Sequence, residues 1–163
     1  MRYTIRPFRD GDANALCEVA RAAIRVVGAQ SYSSAQIDAW ASRHGGPEMY
    51  HRRAAEGHLI FVAADETDLP VAYALLEPDG HLDRLYNHPD HTRRGLAARL
   101  LTCAEERARE LGLNRLYTEA SELARPAFER AGYAVQRRRD FDIEGPNGAV
   151  AIHNYAMEKR LVT

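Results

Sequence analysis

Apolar positions along this chain change their period several times, and each change marks an element. Residues 3–7 alternate as a strand does. The turn Arg9-Asp10-Gly11-Asp12 offers two N-caps, and Leu16, Val19, Ala20, Ala23 and Val27 then recur at helical spacing, predicting a helix that ends near Gly28. Ser33 followed by Gln36 is a capping-box pattern opening a second helix, with Ile37, Trp40 and Ala41 on one face. After Gly45-Gly46-Pro47 a short helix is expected over 48–56, where a proline is tolerated in the first turn. Strands follow at 58–64 and 70–77, and Pro78-Asp79-Gly80 turns the chain into residues 81–111. That stretch reads as a strand (Leu82, Leu85, Tyr86), a polar turn from Asn87 to Arg93, one glycine at Gly95, and a long helix on Leu96, Leu100, Ala104, Ala108 and Leu111, stopped by Gly112. A strand at 115–120, a helix at 124–131, a strand at 133–143, a turn at 144–148 and a last strand at 150–160 complete the chain.

In its main elements the order is β-α-α-β-β-β-α-β-α-β-β, which predicts an α/β fold with a mixed sheet of about seven strands and about four to five helices on its two sides. At 163 residues, 1–163 is expected to be a single domain able to bury its own core. The charge is nearly balanced, with 22 basic and 23 acidic residues, so no broad basic face for nucleic acid is expected. The densest basic run, Arg137-Arg138-Arg139, is followed by Asp140, Asp142 and Glu144 and reads as a strand edge or a rim for acidic cofactor groups. Cys17 and Cys103 each sit among apolar neighbours in a predicted helix, as reduced thiols do. No apolar run approaches a membrane span, and the first residues do not read as a leader, so the expected compartment is the cytoplasm.

The chemistry begins in residues 81–111. The first N–H groups of a helix have no partner inside it and lie at the positive end of its dipole, so a phosphate placed there is bound. Gly95 and Ala97 keep the approach to the backbone at 92–98 clear, and Arg93 and Arg94 add charge. This is a phosphate cradle. The chain contains neither GxxxxGK[ST] nor three glycines at dinucleotide-fold spacing, so it is neither a P-loop nor a Rossmann site.

The segment LYNHPDHTRRGLAARLL resembles the acetyl-CoA-binding signature of the GNAT N-acetyltransferases, and TEASELARPAFERAGYAV resembles that family's next strand, helix and Gly-aromatic end. TEAS, the proline in the following helix, YSSAQIDAW and the NYAMEK ending together resemble its YafP-like branch. The resemblance implies a GNAT-like splayed sheet with acetyl-CoA as co-substrate. Its pantetheine would lie in the gap beside Leu85, Tyr86 and Asn87, and its pyrophosphate against Thr92, Arg93, Arg94, Gly95, Leu96, Ala97 and Ala98. Ser121 and Phe128 stand where many members have an asparagine and a tyrosine that protonates the leaving thiolate. Phe128 cannot donate a proton, and Thr92 replaces the usual Gln or Arg of the signature.

Acetyl transfer needs a base for the amine and a route for the thiolate. Glu119 and Asp83 stand on the two strands that should splay apart, and a carboxylate in an apolar strand is costly unless paired. Glu119 is the favoured base, acting through water; Asp83 would orient substrate or water. Structural pairing with Arg84 or Arg115 would explain either carboxylate as well. Tyr155 is the first candidate acid, with Ser121 or a water it holds as the other. By resemblance, Tyr32, Gln36 and Trp40 form the acceptor wall, although a lone tryptophan is more often core. Of seven histidines, the pair His88 and His91 lacks accompanying ligands at zinc spacing, and no metal is expected. The expected reaction is acetylation of a small-molecule amine, with no nucleic-acid or membrane partner. Family habit also allows a homodimer. The alternatives are a non-catalytic acyl-CoA sensor and acetylation of a protein or a tRNA-linked amine.

Overall fold

A computed structural model describes residues 1–162; Thr163, the last residue of the expected domain, lies outside the described residues. Seven strands form two sheets instead of one. In the first sheet, β1 (Thr4–Pro7), β2 (Leu59–Ala64), β3 (Pro70–Leu76) and β4 (Leu82–Asn87) are neighbours in that order, every pair antiparallel. In the second, β7 (Gly148–Arg160) lies between β5 (Arg115–Ala120) and β6 (Ala134–Gly145), again antiparallel. The mixed character expected from the sequence is confined to one place, a parallel bridge between His81 and Tyr117 that joins the two sheets.

That bridge is the vertex of the split. Tyr117 N–H donates to the Gly80 carbonyl at 3.1 Å, and the Thr118 hydroxyl donates to the Leu82 carbonyl at 2.7 Å. The approach is tight enough that a Cβ on Gly80 would lie 2.4 Å from the Arg115 carbonyl oxygen, and Gly80 also has φ +102°. Only glycine fits there. Beyond Leu82 the strands part, because β4 has no further ladder partner on that side among the described residues.

Helices cover both faces. α1 (Ala13–Ala22) and α3 (Glu48–Ala55) pack Leu16, Val19, Ala20, Met49 and Tyr50 on one face of the first sheet. α4 (Leu96–Glu110) packs Leu96, Leu100, Leu101, Ala104 and Ala108 on the other, where α5 (Arg125–Arg130) adds Phe128. Because both faces are covered, every residue of β3 is buried and its alternation disappears. α2 (Ser34–Ser42) opens on the predicted capping box, with Gln36 N–H donating to Ser33 Oγ at 3.2 Å and Ser33 N–H donating to Gln36 Oε1 at 2.9 Å.

Three local features depart from the sequence expectation by more than a residue at an element's end. The helix predicted to reach Gly28 is regular only to Ala22 and continues as a wider π turn over Ala23–Val27, which the side-chain period cannot distinguish from α. The β6–β7 hairpin extends into the predicted turn, from Gly145 to Gly148, because Gly148 at φ +115° lets a two-residue loop close it. In β4, Leu76 pairs with Leu82 and Leu75 with Arg84, leaving Asp83 as the extra residue of a bulge. None of the described helices is long and apolar enough to cross a membrane. Cys17 is buried and Cys103 half-buried, both as free thiols.

Candidate active site

Past β4 the chain makes one 3-10 turn and then enters the left-handed region at Arg93 (φ 60°) and Gly95 (φ 74°). Amides around such residues curve into a concave nest for an anion. Where α2 has a complete capping box, α4 has no side-chain cap and no acidic residue in its first turn. The Arg99 N–H bonds the Gly95 carbonyl at 3.1 Å, so the N–H groups of the three preceding residues remain for a ligand. A Cβ on Gly95 would meet nothing within 4 Å. Its glycine serves the positive φ and leaves the approach clear.

From this nest a groove of about 330 Å³ runs along Asn87, Gly95, Leu96, Ala97 and Ala98. It continues into one of about 270 Å³ lined by Leu85, Tyr86, Thr92, Ser121 and Ala127. Arg93 and Arg130 border both. Arg94 is exposed and lines neither. Arg130 escaped the sequence reading because nothing in its spacing places the end of α5 across from α4.

A third cavity, about 220 Å³, opens from the split and shares Trp40, Leu85, Tyr86, Ser121 and Ala124 with the groove. Tyr32, Asp83, Glu119 and Phe128 line it as well. The β6–β7 hairpin contributes Phe141, Ile143, Ile152, His153 and Asn154, and the residue after α2 adds Arg43. Of these, Phe141 and Ile143 carried a signal, an apolar alternation on β6, but no pattern told which cavity they would wall.

Asp83 and Glu119 therefore do meet at one cavity; Asp83 keeps the expected Arg84 at longer range and gains Arg53, while Glu119 has a different partner. Asp83 Oδ2 lies 3.0 Å from Arg53 Nη1 and 3.7 Å from Arg84 Nε. Glu119 pairs with neither Arg84 nor Arg115: its Oε1 is 2.9 Å from His81 Nε2, and Arg115 binds Glu158 instead. His81 Nδ1 in turn lies 3.0 Å from Glu77 Oε1, and its ring stacks on Tyr117 at 4.8 Å. Burial opposes a charge on His81, but the hydrogen bonds to Glu119 and Glu77 outweigh it and raise the pKa from 6.5 to about 9. The same hydrogen bond from His81 holds Glu119 below its ordinary value. Near neutral pH this is an imidazolium between two carboxylates. Glu77, His81 and Asp83 could reach one metal ion, but both ring nitrogens of His81 are taken and Arg53 also bonds Glu77 at 3.2 Å, so ion pairs account for the cluster.

Linkage gives this clamp a pH signature. Since the folded pKa of His81 is raised, its stabilisation is fully present below the unfolded value near 6.5 and is lost as pH rises through about 9. The shift sets an upper bound of about 3 kcal/mol. Urea midpoints should fall between pH 7 and pH 10 in the wild type, and His81→Gln should flatten that part of the curve.

Other sequence candidates lie apart from the cavity. Tyr155 opposes Ala120 in the ladder while Glu119 opposes Ala156, so their side chains lie on opposite faces. The Tyr155 hydroxyl donates to Glu122 Oε2 at 2.9 Å, outside the cavity lining, which does not match a donor to the thiolate. Gln36 is occupied by its cap and by donating Nε2 to the Ala151 carbonyl at 2.9 Å, and it does not line the cavity either. Tyr32 does line it: its hydroxyl donates to the His153 carbonyl at 3.2 Å and accepts the Glu122 N–H at 2.8 Å. Trp40 serves core and wall together, edge-on to Tyr32 at 5.6 Å and tilted on Tyr86 at 6.3 Å. Phe128 is 2% exposed and packs edge-on to Tyr133 at 5.0 Å, and Ser121 Oγ accepts the Ala124 N–H at 3.2 Å.

The groove fits a pantetheine-phosphate chain. Asn87 Oδ1 is buried with no hydrogen-bond partner, on a strand whose outer edge is open and beside the anion nest. Buried acceptors are normally satisfied, and an amide N–H lying along β4 would satisfy this one.

Comparison with known proteins agrees with this geometry. Residues 28–145 match the acetyltransferase (GNAT) domain family. The uncharacterized N-acetyltransferase YafP of Escherichia coli K12 is 29% identical over 141 residues, covering 86% of this chain and 87% of that protein. The crystal structure of a GCN5-related N-acetyltransferase from Rhodopseudomonas palustris superposes with a TM-score of 0.85 at 30% identity, over 99% of this chain and 97% of that one. A PaiA N-acetyltransferase from Thermoplasma acidophilum, solved in complex with coenzyme A, shares the fold with a TM-score of 0.77 at 20% identity, over 98% and 99% of the two chains. With its sheet split at β4, its uncapped helix beside the split and these relatives, the chain belongs to the GNAT family of acetyl-CoA-dependent N-acetyltransferases.

Proposed function

We propose that the chain transfers the acetyl group of acetyl-CoA to the amine of a small molecule by direct attack on the thioester, with Glu119 as the base. The observation that carries this reading is the junction at the split. The groove leading from the anion nest and the cavity holding Glu119 and Asp83 share Leu85, Tyr86, Ser121 and Ala124. A thioester brought along the groove meets an amine held in the cavity.

Acetyl-CoA supplies the activated acetyl group. The chain's own groups do the rest. The nest amides and Arg93 hold the phosphates, the open edge of β4 aligns the pantetheine, and an N–H near Leu85–Asn87 polarises the carbonyl. Glu119, ionised because His81 stabilises its negative form, accepts the proton from nitrogen directly or through water. A carboxylate with a depressed pKa is a weak base for a free ammonium, but nitrogen that has bonded to carbonyl carbon is far more acidic and gives its proton readily. His81 fixes the orientation of Glu119, and Asp83, set out by its bulge and anchored on Arg53, orients the amine. Phe128 has no proton to give the leaving group, and a thiol with an ordinary pKa of about 8.5 departs as thiolate.

Incubating the protein with acetyl-CoA and a broad panel of amines while following free thiol tests this reading. Thiol release dependent on the amine is expected; silence across the panel, with coenzyme A binding intact, would overturn it.

A further inference from the structure

The charges around the acceptor cavity divide into a set of close ion pairs that balances and a rim that does not. In the paired set, Glu77, Asp83 and Glu119 face His81, Arg53 and Arg84. Each carboxylate lies 2.9–3.2 Å from at least one of these cations. Arg84, only 15% exposed, donates to the His44 carbonyl at 3.1 Å, and His44 itself is neutral, burial and Arg84 having pushed it down to about 3. This set of six charges, of which Asp83, Arg84 and Glu119 line the cavity, is therefore balanced within itself.

The rim is different. Arg43, the C-cap of α2, lines the cavity and is exposed; among the described residues its guanidinium has no carboxylate and no hydrogen-bond partner. Arg139 on β6 has only the Asn154 side-chain oxygen, at 3.3 Å, and its guanidinium lies 5.3 Å from the Phe141 ring. Asn154 and Phe141 both belong to the cavity wall. The neighbouring Arg138, by contrast, is paired with Asp140 at 3.0 Å and lies on the opposite face of β6. Arg43 on the cavity wall, and Arg139 against the wall residues Phe141 and Asn154, thus stand without an ion-pair partner within 4 Å among the described residues, beside a cavity whose walls include the apolar side chains of Trp40, Ile143 and Ile152.

We infer that the acceptor is an amine that also carries a carboxylate, held by Arg43 and Arg139, on an apolar or aromatic body. This rests on the acetyl-transfer reading above and deepens it. The planar fork of a guanidinium matches a carboxylate, and a charge-assisted hydrogen bond at a half-shielded rim is stronger than a neutral one. A polyamine would meet the same rim with like charge, and a plain alkylamine would leave both cations uncompensated. The anion on the rim directs the amino end inward, toward Glu119 and Asp83.

Matched pairs of acceptors test this: phenylalanine against phenethylamine and leucine against isoamylamine, each with acetyl-CoA and free thiol as the readout. The carboxylate member should have the higher kcat/KM, by about tenfold or more. Arg43→Gln and Arg139→Gln should each reduce that preference, chiefly through the KM of the carboxylate member, and raised salt should do the same. Equal or better use of the decarboxylated member, or a loss in the variants that falls alike on both members, would overturn the inference while leaving acetyl transfer intact. No thiol release from any pair, with coenzyme A still bound, would overturn acetyl transfer to small amines and this inference with it.

Discussion

Glu119→Gln should lower kcat by about 100-fold or more while coenzyme A affinity stays within about twofold, because general-base assistance is worth about that much and Glu119 lies in the acceptor cavity, not in the groove. The amide keeps the size of the side chain and can still accept the His81 hydrogen bond through its oxygen, so the change removes the basicity and the charge paired with His81 while keeping the shape. The pH profile is informative as well. Since His81 holds the Glu119 pKa down, the wild-type acid limb should fall below the ordinary carboxylate range, and activity should persist well into mildly acid solution for an acceptor of low pKa. Removing His81 lets the Glu119 pKa return upward, and the acid limb of His81→Gln should move to higher pH. Steady-state rates against pH with wild type, Glu119→Gln and His81→Gln would decide the matter. Full turnover in Glu119→Gln would shift the role to Asp83, the other carboxylate of that cavity.

Ala97→Glu should separate stability from cofactor binding by moving them in opposite directions. Ala97 stands in the first turn of α4 and lines both parts of the groove. A carboxylate at a helix N-terminus interacts favourably with the helix dipole by about 0.3–1 kcal/mol, and α4 has no acidic residue there. The thermal midpoint should hold or rise slightly. The same carboxylate occupies the place where a pyrophosphate would approach the bare amides. Like charges about 4 Å apart near a protein surface repel by a few kcal/mol, so coenzyme A affinity should drop about 100-fold or more. Calorimetric titration of both proteins, with thermal melts beside it, measures both effects. Unchanged affinity in a well-folded variant would move the diphosphate away from α4 altogether.

The two predictions draw on different kinds of information. Everything at the anion nest is local: Arg93, Gly95 and Ala97 follow each other within one turn and one helix start, and a left-handed glycine ahead of an apolar-striped helix is written in consecutive residues. The same is true of the capping box at Ser33 and Gln36 and of the strands and helices themselves. Local rules of spacing and backbone freedom suffice for such features.

What the tertiary structure alone decided is which residues meet across the split. The sequence offered Glu119 and Asp83 as carboxylates needing partners, but His81 and Arg53 became those partners through a bridge at Gly80 and a bulge at Asp83, and neither contact has a periodicity. Tyr155 looked suitable on its strand, and strand register turned it to the other face, since one step along a strand reverses the side on which a side chain lies. Arg43, Arg139 and the hairpin wall came to the cavity for a similar reason, through packing between α2 and a hairpin about 100 residues further along the chain. Elements and the phosphate cradle follow from neighbours in sequence; the charge pattern of the acceptor cavity follows from neighbours in space, which only the closed fold brings together.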